Sequence, residues 1–347
     1  MRIGPGAERA DAALGPGRTR RTGGLVGFAL ALIFVIGASL AVGANPVPLA
    51  DVWQGLWHPD SSDASLIVWT ERMPRTVLGI FAGLAFGVAG ALMQALTRNP
   101  LADPGLLGVN AGAGFVVTIG VGLFGLSSVT GYVWFAFLGA AAATVVVYFI
   151  GSGGQGTASP VSLVLAGVAL GAVLGGISAF VSLIDPDTFR SMRSWGIGSI
   201  ARTGIGDTLA VAPFLIVGLA IAVAIAGALN TIALGDDLAS SLGVGVVRTR
   251  ILGLLAVTLL AGGATALTGG IAFLGLMVPH IVRRFVGPDQ RWVIAYSAVA
   301  AAVLVLGSDV IGRVLARPGE IEVGILIAIV GAPVLIALAR QRKAGAA

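Results

Sequence analysis

Long apolar runs separated by short polar segments dominate this chain. They cover residues 24–44, 76–97, 105–125, 132–150, 161–184, 208–234, 251–282, 292–311 and 323–339. About 20 apolar residues at 1.5 Å per residue cross the roughly 30 Å hydrocarbon core of a bilayer as a helix. None of the runs alternates apolar and polar positions as barrel strands do, so the pattern predicts membrane helices. The run 251–282 is too long for one untilted span and short for two. Both ends of the chain are basic, and the excess of arginine on the cytoplasmic side demands an even number of spans. Splitting the run at Thr268-Gly269-Gly270 gives ten. The predicted fold class is therefore an all-α polytopic membrane protein with ten transmembrane helices. Residues 1–23 read as a disordered cytoplasmic tail, 24–340 as the membrane domain and 341–347 as a second cytoplasmic tail. The first run could be a signal peptide, but its 21 residues exceed the usual apolar core of about 7 to 15, so it reads as a retained span.

The stretch from Arg72 to Phe115 organises the rest. In its first half Gly79, Gly83 and Gly87 fall four apart, on one helical face, and let a neighbouring helix approach to backbone contact. The elbow 98–104 contains two prolines and cannot be helical, whereas Pro104 suits a first helical turn capped by Asp103.

Composition narrows the function classes. Charged residues make up 11% of the 347, against about 25% in soluble domains. Without cysteine there is no disulfide, thiolate metal site or cysteine nucleophile, and two histidines, His58 and His280, do not make a protein-built metal cluster. The only lysine is Lys343, near the C-terminus, so a phosphate-binding P-loop is absent and the chain does not hydrolyse ATP by itself. The arginines are scattered between spans, not arrayed in a stripe with aromatics, which points to lipid and protein partners and away from nucleic acid. No catalytic constellation, cofactor motif or metal site is visible.

Several ungapped blocks carry a resemblance. RMPR, a Gly-rich run, GALMQ, NPLADPGLLGV, NAGA, GDDLASSLGV, GGIAFLGLMVPHIVRR and VGILIAIVGAPV occur in that order. Together they closely resemble the FecCD-type permease subunits of ABC importers for iron-siderophores, heme and cobalamin. The resemblance covers almost everything after the N-terminal tail. It implies the type II importer fold of ten helices, a homodimer in the bacterial cytoplasmic membrane, separate ATP-binding subunits inside, a substrate-binding protein outside and a metal chelate as cargo. The competing class is a secondary transporter driven by an ion gradient, which would carry ionisable residues at mid-span. The runs 76–97, 105–125, 132–150 and 161–184 contain none.

With ten spans, 14 basic residues lie inside and seven outside: Arg72, Arg75, Arg190, Arg193, Arg202, Arg313 and Arg317. Glu71 precedes Arg75 by four and Asp309 precedes Arg313 by four, so each acid is expected to pair with its base on a helix. Such pairs could simply neutralise interfacial charge. The resemblance instead implies that Arg72, Arg75 and Arg313 receive glutamates of the binding protein, with Arg190, Arg193 and Arg317 as further candidates.

The inner loop 235–243 offers Asp236 as the cap of a short helix whose Leu238 and Leu242, four apart, form a small apolar face. It could rest on the bilayer; the resemblance implies a coupling helix seated on the ATPase, with Asp236, Asp237, Leu238, Ser240 and Leu242 taking part. Gly167, Gly171 and Gly175 repeat the glycine ladder in a span that lines the pathway in that family. Leu107 to Gly112, including Asn110, and the segment 156–160, with Thr157 and Ser159, match its cytoplasmic gate segments.

Overall fold

A computed structural model describes residues 17–126, 128–153 and 159–344. It is helical throughout these residues. α1 (Arg18–Ala41) leads through two outer helices, α2 (Leu49–Trp57) and α3 (Asp63–Ile67), into α4 (Met73–Thr97) by way of one π turn, Val68–Arg72. α5 (Val109–Phe124), α6 (Val129–Ser152) and α7 (Pro160–Ile184) follow; α8 (Pro186–Ile197) lies in the outer loop before α9 (Ile205–Ile232). The short α10 (Asp236–Ser241) precedes α11 (Val246–Val257), which continues through a π turn into α12 (Gly263–Thr268). α13 (Leu274–Val286), α14 (Gln290–Leu315) and α15 (Val323–Ala344) complete the chain. Seven helical stretches among the described residues are long and apolar enough to cross a membrane. The shorter apolar α5 and α15, the latter over Val323–Ile336, and the 13-residue α13 make the arrangement roughly consistent with the predicted ten.

Glycine decides how these helices meet. α4 is largely buried, and a Cβ on Gly83 would lie 2.3 Å from Cα of Ala302, one on Gly87 2.2 Å from the Ser297 carbonyl, and one on Gly79 2.4 Å from a Leu306 methyl, all on α14. One turn on, Gly90 meets the Gly275 carbonyl of α13 at 1.9 Å. The ladder predicted from spacing is thus the seat of α14, because only a missing side chain lets two backbones come this close. α5 and α6 make a reciprocal version: a Cβ on Gly112 would be 2.4 Å from the Gly139 carbonyl, and one on Gly139 2.3 Å from the Gly112 carbonyl.

The long run splits where expected, and the reason is visible. Gly269 takes φ +73°, and a Cβ there would strike the Trp195 carbonyl at 2.0 Å. Ser199 N–H donates to the Thr268 carbonyl at 2.7 Å, and the Thr203 hydroxyl to the Leu267 carbonyl at 2.5 Å. Non-helical backbone at membrane depth is tolerated because protein supplies these partners. α13, with 13 residues, then reaches only about 20 Å and forms half a span.

Three boundaries differ from expectation. α1 begins at Arg18, inside the predicted tail, because the Arg21 carbonyl accepts from the Tyr296 hydroxyl at 2.5 Å and Gly24 packs on the same ring; residues 1–16 lie outside the described set. α15 runs to Ala344, past the predicted boundary at 340, and 345–347 lie outside the described residues. The third span starts not at 105 but after a 3-10 turn, Pro104–Leu107, since Gly108 at φ +75° breaks the helix before α5.

Gly87→Leu should therefore abolish or severely reduce folded protein in the membrane, since overpacking of even a few atoms costs about 1 to 3 kcal/mol and here the clash is with backbone. Gly175→Ala, where a Cβ meets nothing within 4 Å, should be recovered at the unmutated level. Size-exclusion profiles of detergent-solubilised membranes distinguish the two.

Candidate functional site

At the outer end the arginines do something the sequence did not announce. The last carbonyls of α1 have no partners within their own helix, and in an apolar surrounding they need donors. Arg72 supplies them to Leu40 and Ala41, both at 2.8 Å, and to Asn45 at 2.9 Å. Arg313 donates to the carbonyls of Ser39 at 3.0 Å and Val42 at 2.8 Å and to the Ser39 hydroxyl at 2.9 Å. Arg317 adds the Gly43 carbonyl at 2.8 Å. Arg72 and Arg313 are each only 2% exposed. Their guanidinium groups tie α1, most of whose surface faces outward, to α4 and α14. Arg72 and Arg313, expected in a docking rim, are turned here onto backbone carbonyls of α1 and its end. Asp309 pairs with Arg313 at 2.5 Å as spaced, but Arg75 pairs with Glu320 at 2.8 Å and not with Glu71, because the π turn rotates Glu71 away from the α-helical register.

Arg202 meets Glu322 at 2.6 Å, which leaves α8 as the exposed basic element of the outer face. Arg190 and Arg193 stand on it in the open, Arg190 beside Asp187. α8 is started by Asp185, whose carboxylate accepts from the Thr188 N–H at 2.8 Å and the Thr188 hydroxyl at 2.6 Å. These hydrogen bonds hold its pKa below the usual carboxylate range.

At the inner end the predicted segments converge. α10 starts after Gly235 at φ +119°, so Asp236 is its first residue and not its cap. The Asp236 carboxylate instead receives Arg98 from the end of α4 and Arg250 of α11, the latter at 2.8 Å. With that side of the turn pinned and Ala239 buried beneath it, Leu238 and Leu242 are left 48% and 60% exposed. Asp237 and Ser240 are exposed beside them. Two bare leucines on a rigid, charged turn outside the spans form a surface suited to a partner.

The elbow after Arg98 feeds the 3-10 turn, whose first free N–H is met by Asp103: its carboxylate accepts from Gly105 at 2.8 Å. Desolvation pushes the Asp103 carboxyl above its ordinary range, against the pull of that hydrogen bond. Leu107 is fully buried, and a Cβ on Gly167 of α7 would sit 1.8 Å from the Leu106 carbonyl, so the ladder of α7 begins in direct contact with this turn. Further along α7, Gly171 touches only the Ala111 methyl at ordinary distance, and Gly175 and Gly176 face open space. Asn110 accepts from the Thr265 hydroxyl of α12 at 2.9 Å. Gly112 instead faces α6, so its role here is packing. Ser159 caps α7, accepting from Ser162 N–H at 3.1 Å; Thr157 lies outside the described residues.

A second inner contact was missed in the sequence. Gln94, 2% exposed, donates to the Leu276 carbonyl at 3.0 Å and accepts from Arg283 at 3.0 Å, joining the GALMQ and PHIVRR blocks across 189 positions. The signal was available: a lone amide inside an apolar run must find a partner. Among the described residues no cluster of histidines and carboxylates could hold a metal ion.

These features match a known family model, that of the FecCD transport family, over residues 31–341. The chain belongs to the FecCD transport family. Among its relatives, the ferric enterobactin transport system permease protein FepD of Escherichia coli (strain K12) is 48% identical over 92% of this chain and 96% of its own. The Fe(3+)-citrate import system permease protein YfmD of Bacillus subtilis (strain 168) is 38% identical over 94% and 98%. A solved metal-chelate type ABC transporter in an inward-facing conformation superposes with TM-score 0.81 over 91% of this chain and 98% of its own, at 24% identity, which shows the shared fold. This FecCD protein is thus a multi-pass permease of the cytoplasmic membrane and a transport subunit, and the class works with ATP-binding and substrate-binding partners.

Removing Arg313 from this permease should expose its structural role. Arg313→Ala leaves Asp309 buried without its partner and uncaps α1, a loss of about 3 to 5 kcal/mol by the usual cost of breaking a buried pair. Arg317→Ala, at the exposed rim, should cost under about 1 kcal/mol. Thermal unfolding of the two variants in detergent should show a large drop for the first and little change for the second.

Proposed function

We propose that two copies of this chain form the membrane path of an ATP-driven importer for a ferric siderophore. The observation that carries this reading is the 48% identity to a ferric enterobactin permease over 92% of the chain. Ferric citrate and hemin appear among the cargoes named for other relatives, the latter in the hemin permease HmuU of Yersinia pestis at 34% identity, so an iron chelate is the shared theme. Cobalamin, the remaining cargo implied by the sequence blocks, has less support.

The geometry fits the division of labour. α7 leaves much of its length uncovered, with Leu165, Phe180 and Leu183 each at least 65% exposed and two glycines opposite nothing, as suits a helix that faces a second copy across a shared path. A bulky chelate needs room and few fixed contacts, which small side chains give. ATP hydrolysis falls to separate subunits that seat α10, and closure of those subunits moves α10 and, through the Arg98 and Asp236 pair, the elbow and the 3-10 turn against Gly167. A binding protein docks outside, with Arg190 and Arg193 as its cationic targets and Arg75 contributing from the edge. The ion-driven alternative loses ground because Asp309 and Arg313, the charged pair in the span, neutralise each other and serve α1.

Leu238→Asp or Leu242→Asp should abolish chelate uptake and binding-protein-stimulated ATP hydrolysis by placing a charge in a dry contact, while the permease stays folded. Uptake at the unmutated level, with expression matched, would remove α10 as the coupling element. Arg190→Glu with Arg193→Glu should slow association of the binding protein several-fold at low salt and by much less at high salt, measured by surface-immobilised kinetics.

A further inference from the structure

A groove of about 410 Å³ lies apart from α7 and α10. Its walls are Phe28 of α1, Phe285 of α13, Tyr296 and Ile311 of α14, and Val330 and Val334 of α15, and its lining is almost wholly apolar. Gly307 forms part of the floor: a Cβ there would meet nothing within 4 Å, so this glycine leaves space instead of admitting a neighbouring helix. From Tyr296 to Ile311 the groove follows α14 for about 22 Å, within the roughly 30 Å hydrocarbon core. Such a slot accepts a single extended hydrocarbon chain.

One end of the groove is cationic. Arg21 lies seven residues before Phe28, on the same face of α1, and Arg284 lies three after Ile281, on the same face of α13. Their helices flank the end that holds Phe285, and the Arg21 guanidinium reaches Gly287, just past the end of α13. Arg21 is mostly buried, yet its carboxylate neighbour Asp289 stands 3.9 Å away and its Nε has no hydrogen-bond partner. Among the described residues this guanidinium, with five donors, has only that distant carboxylate and is underused. Arg20 adds an exposed positive charge beside it, and Phe285, 64% exposed, sits at the same level.

We infer that this groove is a binding site for an anionic phospholipid, with its phosphate between Arg21 and Arg284 and one acyl chain running past Phe28 and Tyr296 to Gly307. Charge complementarity selects the headgroup and the apolar slot holds the chain. The site is separate from the pathway helix α7 and from α10, so it does not depend on which cargo is carried.

The test uses the full-length permease in mild detergent, with phosphatidylglycerol and phosphatidylcholine of identical acyl chains as probes and bound lipid counted by native mass spectrometry. The intact protein should retain phosphatidylglycerol roughly tenfold better, as expected for two arginines at an anionic headgroup. Arg284→Gln should lower that preference several-fold in protein whose size-exclusion profile matches that of the intact permease. Gly307→Leu, whose Cβ meets nothing within 4 Å and whose side chain occupies the slot, should remove retention of both lipids at this site and leave the lipid-free unfolding temperature unchanged. Equal retention of the two lipids by the intact protein, or a preference that survives both substitutions, would overturn the proposal. So would a co-purifying polypeptide found on the groove in place of lipid.

Discussion

The contact between α4 and α14 is the constraint on which the rest depends. In lipid there is little hydrophobic gain in bringing two helices together, so stability comes from close packing and from satisfied polar groups. Gly83 and Gly87 bring the two backbones to a separation that any side chain would forbid, Gly79 makes room for the Leu306 side chain, and Gly90 extends the seam onto α13. Everything that acts at either end is attached to this seam. Arg72 and Arg98 bracket α4 and reach α1 and α10; Arg313 on α14 reaches α1 from the other side.

The two ends use charge differently. Outside, Arg72 and Arg313 are withdrawn from solvent to complete the backbone hydrogen bonds of α1, which has little other burial to hold it. Inside, Arg98 and Arg250 share one carboxylate in a partly exposed setting, where ion pairs are individually weak. The turn that bears this carboxylate carries the exposed Leu238 and Leu242, and the 3-10 turn Pro104–Leu107 lies a few residues along the elbow after Arg98. The difference in burial separates charges withdrawn from solvent from charges that face it.

How much of this was legible in the sequence follows from what kind of information each feature needs. Spacing alone located the glycine seam, since residues four apart must share a face. Parity of the basic tails and a Gly-Gly step located the break before α13. The apolar face of α10 was equally readable, from two leucines four apart. By contrast, Glu71 was assigned to Arg75 on the assumption of regular helix, and the π turn defeats that register. Asp236 was read as a cap, yet its partners Arg98 and Arg250 lie 138 and 14 positions away, and helix-end rules are blind to them. Gln94 and Arg283 are invisible as a pair for the same reason.

Taken by itself, the sequence determined that the chain is a ten-helix membrane protein, where close packing must occur and which family it belongs to, because those properties reside in local composition, period and ordered blocks. Tertiary structure alone decided which arginines are available to a partner. Arg72 and Arg190 are the same residue type on the same side of the membrane, but one finds the uncapped carbonyls of a distant helix end within reach and the other stands exposed beside Asp187 and the Pro186 carbonyl of its own helix. Whether a charge is anchored or free depends on the acceptors that folding brings to it, and those come from distant parts of the chain.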